Sequence, residues 1–233
     1  MQFYRLPITF CIIGACVVVY VAVTVLGTSA SPPVPWNVGL VNQPSSILGY
    51  GELLPAAVAR GYVWLLLTSM FLHAGFIHLS LNMLSLYFVG SFTELTFGKA
   101  RFLALYLLSG LAGGIAYLYF GGFATPVVGA SGAIFGLLGG IFGYTLRQGT
   151  FSWENPLIRQ LLILTALNLA FGFSVQGISN TAHIGGLTGG LIFGWLTAPT
   201  LYSSKALLSL RPTALALGAE VLLLGAWLFY YSA

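Results

Sequence analysis

The sequence predicts an all-α protein that crosses a membrane several times, and its composition and apolar runs lead to that fold class. Of its 233 residues, 58% are hydrophobic and only 5% are charged, whereas about a quarter of the residues in a soluble domain are charged. Apolar runs recur along the whole chain at about the 20 residues that one helix needs to cross a bilayer. A water-soluble globular domain is therefore excluded. Mechanisms that require an aspartate are excluded too, because the sequence contains none.

The apolar runs predict seven transmembrane helices. They cover about residues 8–27, 77–97, 102–120, 131–146, 157–173, 182–196 and 213–231. We expect the first six to form a core over residues 1–200 and residues 201–233 to add a linker and the seventh helix.

Residues 31–76 form the one long stretch without a clear span. Prolines and glycines interrupt it, and its apolar part from Tyr62 to Leu72 is only 11 residues long, too short to cross a bilayer. We interpret it as a membrane-associated loop, anchored at the interface by Trp36, Tyr62 and Trp64.

The basic residues orient the predicted helices through the positive-inside rule. With a cytoplasmic N-terminus, only Arg60 lies in an outer loop. The other seven basic residues lie inside: Arg5, Lys99, Arg101, Arg147, Arg159, Lys205 and Arg211. We therefore expect the N-terminus inside and the C-terminus outside. Because the basic residues are scattered, we expect no nucleic-acid partner.

Polar residues from three of the predicted helices share the outer half of the membrane in this topology. His78 precedes Asn82 by four residues on one helix face, Ser131 opens the fourth span, and His183 lies near the outer end of the sixth. A histidine can act as the base that a serine nucleophile needs near neutral pH. Since Glu94 and Glu154 lie towards the inner surface, Ser131 and His183 would form a dyad without an acid.

Two rows of glycine follow these residues at helical spacing. They are Gly132, Gly136 and Gly140 after the serine, and Gly186, Gly190 and Gly194 after the histidine. Such small-residue rows let transmembrane backbones approach closely, although packing alone also explains any single row. A close approach of the two helices would let a short serine side chain reach the imidazole.

Further residues complete a candidate site for acyl transfer. The Ser131 backbone N–H at a helix N-terminus, the Asn82 amide and His78 are candidate donors for the charge that develops on a carbonyl oxygen. Phe135 follows Ser131 by four residues on the same helix face and could restrain the imidazole by packing against it.

The motifs His78-xxx-Asn82, Gly129-x-Ser131-Gly132 and Ala182-His183-xx-Gly186-xxx-Gly190 together resemble those of the rhomboid intramembrane serine proteases. The resemblance implies a bundle of six transmembrane helices plus a seventh C-terminal helix. It implies Ser131 as nucleophile and His183 as general base, with an oxyanion hole of His78, Asn82 and the Ser131 N–H.

The resemblance also implies the partners and the setting of the reaction. Substrates would be membrane proteins, most simply single-span ones with small helix-destabilising residues, cleaved in or near their transmembrane segments. Gly129, Phe135, Gly186 and Gly190 would support the catalytic geometry. The site would open on the outer side of a bacterial inner membrane, and neither a cofactor nor a metal would be needed.

The sequence departs from that family at two positions. Many bacterial members have Trp-Arg where this chain has Trp64-Leu65, so the loop has to be held without the arginine. Those members have a tyrosine stacked on the catalytic histidine, and here Phe135 keeps the ring without the hydroxyl. Neither change removes a reacting group.

Two other functions remain open from the sequence. One is a catalytically impaired relative that binds transmembrane helices. The other is a transporter with His78, His183 and Glu220 as a proton relay, since ionisable residues inside a membrane are functional by default. For Glu220 we favour a protonated or hydrogen-bonded carboxyl that fixes the seventh helix to the core.

Overall fold

The structure is a computed structural model that describes residues 7–26, 51–174, 178–198 and 210–231. These ranges contain seven long helices, which confirms the all-α fold: α1 (Pro7–Leu26), α2 (Phe76–Phe97), α3 (Lys99–Phe120), α4 (Ser131–Arg147), α5 (Pro156–Ser174), α6 (Asn180–Thr197) and α7 (Leu210–Tyr231). Apart from an isolated bridge between Leu53 and Val127, the described residues contain no β-structure.

Each of the seven predicted spans coincides with one of these helices. By length and apolarity, five of the described helices could cross a membrane, namely α1, α2, α3, α5 and α7. The other two, α4 and α6, are shorter or less apolar because glycines and polar residues occupy much of their length. The chain is therefore a multi-pass integral membrane protein, in which α4 lies inside the bundle and α6 buries one face against it.

Helix α4 is the centre of the bundle. Every residue from Ala133 to Gly143 is buried, and a helix that is buried on all sides belongs in the interior of a domain. It packs against α3 and α6, whereas α1, α5 and α7 lie at the periphery with most of their side chains exposed.

The N-terminal end of α1 and the C-terminal end of α2 are joined by the buried carboxylate of Glu94. It accepts hydrogen bonds from the Thr9 N–H at 2.8 Å, the Thr9 hydroxyl at 2.7 Å and the Ile8 N–H at 3.3 Å. A carboxylate at a helix N-terminus satisfies N–H groups that have no acceptor within the helix. Gly98, with φ of +76°, then turns the chain directly into α3.

Residues 51–75, the described part of the predicted loop, contain three short helical turns: Pro55–Val58, Leu65–Thr68 and the 3₁₀ turn Ser69–Phe71. Leu65 is buried in an apolar cluster with Leu53, Leu66, Leu118 and Trp227 of α7. This apolar packing holds the loop where an arginine is absent. Residues 31–50, with Trp36, and residues 201–209 of the predicted linker lie outside the described residues.

Candidate active site

Ser131 and His183 lie in direct contact at the N-terminal ends of two helices. Ser131 is the first residue of α4, and His183 lies in the first turn of α6. The Ser131 Oγ and the His183 Nε2 are 2.8 Å apart. Ser179 fixes the start of α6, since its hydroxyl accepts the Ala182 N–H at 3.1 Å, as an N-cap residue does.

The glycine rows lie face to face between α4 and α6. A Cβ added at Gly186, Gly190 or Gly194 would overlap the carbonyl oxygen of Gly132, Gly136 or Gly140, respectively. A second pair of positions, Gly139 and Gly143, faces the Leu187 and Leu191 carbonyls in the same way. The two backbones are therefore in contact along several turns, and the short serine side chain reaches the imidazole.

The His183 ring is held by packing. The Phe135 ring stacks on it with centroids 4.2 Å apart and planes 10° apart. When the neutral imidazole accepts the Ser131 hydroxyl at Nε2, its proton is on Nδ1. That Nδ1 atom is buried and has no hydrogen-bond partner among the described residues. The ring orientation therefore comes from the stacked phenyl ring and the helix position, without a carboxylate.

His78 and Asn82 lie one turn apart on α2. The Ala74 N–H donates to the His78 Nδ1 at 3.4 Å, which puts the proton of a neutral His78 on Nε2. The Asn82 Nδ2 donates to the His78 carbonyl at 2.9 Å, and a primary amide has a second N–H to offer. Both side chains can therefore donate a hydrogen bond.

Both the backbone conformation and the neighbouring side chains favour glycine at position 129, beside the serine. Its φ of +127° belongs to a backbone region that other residues rarely adopt. A Cβ at this position would also lie 2.9 Å from the His78 Nε2 and 3.8 Å from the Ser131 Oγ. The glycine thus lets His78 approach the serine. Its N–H donates to the Ser69 carbonyl at 2.9 Å, which ties this turn to the loop of residues 51–75.

His73 lies beside this site, in the loop before α2. Its ring meets the His78 ring edge-on with centroids 5.2 Å apart. Burial lowers the pKa of His73 from 6.5 to about 4. The side chain is therefore neutral at physiological pH and adds no charge next to His78.

The candidate residues share the wall of one cavity of about 120 Å³. His78, Asn82, Ser131, Phe135 and His183 all line it. Its α2 wall runs from His78 to Val89, roughly 16 Å along the helix at 1.5 Å per residue. The opposite wall comes from α5 through Leu164, Asn168 and Phe171. No spacing in the sequence had indicated these α5 residues.

A second, smaller cavity of about 40 Å³ also reaches Ser131. Its walls come from the loop before α2, from α3 and from the turn before α4. They consist of small residues with a few larger apolar ones: Leu53, Ser69, Met70, Gly110, Gly113, Gly114, Val127, Val128, Gly129, Gly132, Ala133, Ser179 and Ala182. Because its volume is a third of that of the first cavity, this space suits a small side chain.

Glu220 is separate from these groups. It lies on α7 and lines neither cavity at the serine. One of its carboxylate oxygens, Oε2, is buried and has no hydrogen-bond partner within the described residues. That Glu220 fixes α7 to the core stays a prediction, and the deeply buried side chain of α7 is Trp227.

Comparison with known proteins gives one family. The Rhomboid domain family model matches residues 60–200, which include every candidate residue named above from Ser69 to Gly194. Rhomboid protease GluP of Bacillus subtilis (strain 168) is 39% identical over 145 residues. RHOMBOID-like protein 5 of Arabidopsis thaliana is 35% identical over 175 residues, and Putative rhomboid protease YdcA of Bacillus subtilis (strain 168) is 37% identical over 140 residues.

Each match covers a different share of this chain and of the relative. The match to GluP covers 62% of this chain and 28% of GluP. The match to RHOMBOID-like protein 5 covers 74% of this chain and 56% of that protein, and the match to YdcA covers 60% and 69%. The chain thus spans well under two thirds of the length of the first two relatives. Helix α7 lies beyond the region that the family model matches.

Proposed function

We propose that this protein, which belongs to the rhomboid family, is an intramembrane serine endopeptidase. Ser131 would be its nucleophile and His183 its general base. The observation that carries the proposal is the 2.8 Å contact between the Ser131 Oγ and the His183 Nε2 on the wall of a cavity. A nucleophile and a base within hydrogen-bond reach are the minimum for acyl transfer by a serine.

The first half of the reaction forms an acyl-enzyme. The Ser131 Oγ attacks the carbonyl carbon of the scissile peptide bond while its proton passes to the His183 Nε2. The tetrahedral intermediate collapses when the C–N bond breaks and the leaving amine takes the proton from the His183 Nε2. The product is an ester between Ser131 and the N-terminal part of the substrate.

The second half of the reaction is hydrolysis of that ester. Water attacks the ester carbonyl while the His183 Nε2 removes one of its protons, and the same proton returns to the Ser131 Oγ as the C–O bond breaks. The Phe135 ring holds the imidazole for both halves. In this scheme, no Asp or Glu side chain gives or takes a proton.

The negative charge on the tetrahedral intermediate would be stabilised by donors from three places. They are the Ser131 N–H at the start of α4, the His78 Nε2–H and the free N–H of the Asn82 amide. The protonation of His78 is consistent with this, because the Ala74 N–H occupies its Nδ1. The N-terminus of α4 adds the positive end of its dipole.

The two cavities at Ser131 suggest which substrates fit. The larger one lies between α2 and α5, and the proposed catalytic residues line it. It would receive a transmembrane segment of another protein from the bilayer. The smaller one would take the side chain next to the scissile bond, so we expect alanine, serine or glycine there. Small residues also weaken a substrate helix and allow the chain to extend.

The placement of the site in the membrane follows from the distribution of basic residues. With seven of them inside and one outside, the N-terminus would be cytoplasmic, and the cavity would open towards the outer side. A bacterial inner membrane is the simplest location. Water for the second half of the reaction would come from that side.

The two alternatives receive less support. An impaired relative that only binds helices would have no need for the contact between Ser131 and His183. A proton relay would need Glu220 to connect with His78 and His183, but Glu220 lines neither of the cavities at those residues.

The proposal is tested by reconstituting the full chain with a single-span substrate that carries small residues near its outer end. We expect mass spectrometry to find a single cut next to a small residue. Ser131→Ala should reduce the rate by about 10⁶, as loss of the nucleophile does in soluble serine proteases, and His183→Ala should reduce it nearly as far. Ser80→Ala is the matched control, since Ser80 is exposed on α2. Cleavage that persists in Ser131→Ala would refute the proposal.

A further inference from the structure

Helix α7 has one deeply buried side chain among its described residues. Most of the helix is exposed, and Leu222 and Phe229 have 75% and 86% of their surface accessible. Trp227 has only 1%. An aromatic residue that is buried on an otherwise exposed helix fixes the place where the helix docks.

Trp227 docks at the outer end of α3 and on the loop before α2. Its indole N–H donates to the Leu118 carbonyl at 2.9 Å, one of the carbonyls near a helix end that have no N–H donor within the helix. Its ring is part of the apolar cluster that contains Leu53, Leu65 and Leu66. A single side chain of α7 thus hydrogen-bonds to α3 and shares an apolar cluster with the loop before α2, the two segments that border the candidate site.

Tyr231 extends this contact to the segment that carries the serine. Its ring stacks on Trp227 with centroids 4.7 Å apart and on Phe123 with centroids 5.7 Å apart. Phe123 belongs to the connection between α3 and α4, residues 121–130, which ends directly before Ser131. The end of α7 therefore packs on the same short segment that contains Gly129.

Hydrogen bonds then connect Phe123 with the site. The Phe123 carbonyl accepts the Ala56 N–H at 3.1 Å, and Leu53 and Val127 exchange hydrogen bonds at 3.0 and 2.9 Å. The Gly129 N–H donates to the Ser69 carbonyl at 2.9 Å. Residues 121–130 and the loop before α2 are thus joined by hydrogen bonds. The Tyr231 ring of α7 packs on this unit at Phe123.

We propose that Trp227 and Tyr231 are positioning residues, which hold residues 121–130 so that Gly129 and the Ser131 N–H keep their place at the reacting carbonyl. This rests on the function proposed above. It assigns a role in the reaction to a helix outside the matched residues 60–200. An error of about 1 Å in the position of catalytic groups can cost up to about 100-fold in rate, so a loosened connection would affect chemistry more than binding.

The test measures how fast a fluorophosphonate probe labels the full chain in detergent, separating its kinact from its KI. Tyr231→Leu removes the stack, and we expect kinact to fall about tenfold with KI unchanged. Tyr231→Phe keeps the ring and should restore the wild-type rate. Phe229→Leu is the matched control, an aromatic-to-leucine change on an exposed face near the same helix end, and it should label at the wild-type rate.

Trp227→Phe is a second test, because it keeps an aromatic ring at this position and loses the hydrogen bond to the Leu118 carbonyl. We expect an intermediate kinact. Rates are expressed per folded molecule, counted by size-exclusion chromatography, so that a purely structural role would lower the yield and leave kinact unchanged. If Trp227→Phe fails to fold, Tyr231 carries the test alone, since its side chain is 43% exposed.

The outcomes separate this inference from the proposed function. An equal kinact in wild type and Tyr231→Leu, or an equal fall in Phe229→Leu, overturns the positioning role and leaves the protease intact. A folded wild type that neither reacts with the probe nor cleaves a substrate overturns the proposed function itself.

Discussion

The two sides of Ser131 differ sharply in how they are packed. On one side, α4 and α6 meet backbone to backbone along paired glycines, and a single added Cβ would collide with a carbonyl oxygen. On the other side, α2 and α5 are separated by a cavity of about 120 Å³, and many side chains of α5 are exposed. We call the first the closed seam and the second the open seam.

The difference suggests a division of labour within one small bundle. Serine and histidine must stay within hydrogen-bond distance, and backbone contact in the closed seam leaves the helices no room to slide. A substrate must reach them from the bilayer, and few contacts oppose its passage at the open seam. Under the proposed function, the pair of Ser131 and His183 would therefore lie on the rigid side and face the loosely packed one.

Among variants that change the packing of the two seams, the largest effect should follow from one extra methyl group in the closed seam. In Gly190→Ala the new Cβ meets the Gly136 carbonyl oxygen, so the helices must separate, and overpacking typically costs about 1–3 kcal/mol. We expect the rate of labelling at Ser131 to fall about 100-fold per folded molecule. Labelling rate and thermal unfolding are measured on the same sample.

Gly14→Ala is the control for that variant, because no atom lies within 4 Å of a Cβ at Gly14. It should label and melt like the wild type. A Gly190→Ala protein that labels at the wild-type rate would show that backbone contact at the closed seam does not set the geometry of the pair.

A smaller and more selective effect should follow from filling the open seam. Ser85 lines the cavity on α2, and Ser85→Trp would occupy much of it. We expect cleavage of a transmembrane substrate to fall about tenfold through a raised KM, because the added ring opposes binding of a large segment. A small fluorophosphonate should still label Ser131 as fast as in the wild type. Comparing the two assays on one preparation checks this.

Ser80→Trp places the same bulk on the exposed side of the same helix. It should leave both assays unchanged. If Ser85→Trp instead slows the probe and the substrate equally, the open seam serves the chemistry and not the passage of substrate, and the distinction between the seams fails.

Much of the fold was predictable because the membrane restricts it so strongly. Each apolar run near 20 residues had to become a helix, and all seven did in the described residues. The pairing of α4 with α6 was also predictable, because two glycine rows at four-residue spacing have few other uses. A further pair of glycines at four-residue spacing, Gly139 and Gly143, also contacts α6, and the predicted rows did not include it.

Other features depend on contacts between distant segments, which leave no pattern in the sequence. Nothing near Trp227 indicates that it belongs to the same apolar cluster as Leu65, 162 positions earlier in the chain. An ionisable residue such as Glu220 is conspicuous in a membrane helix, yet the buried side chain of α7 is the aromatic Trp227. The same holds for the Ser69 carbonyl that binds Gly129 and for the Ala74 N–H that fixes the proton of His78.

The central claim is that Ser131 is a nucleophile activated by His183, and the most direct measurement is to locate a covalent adduct. The full chain is treated with a fluorophosphonate in detergent, digested and mapped by mass spectrometry. We expect a single adduct on Ser131. It should disappear in His183→Ala, although that variant keeps the serine. An adduct on another residue, or undiminished labelling of Ser131 in His183→Ala, would contradict it.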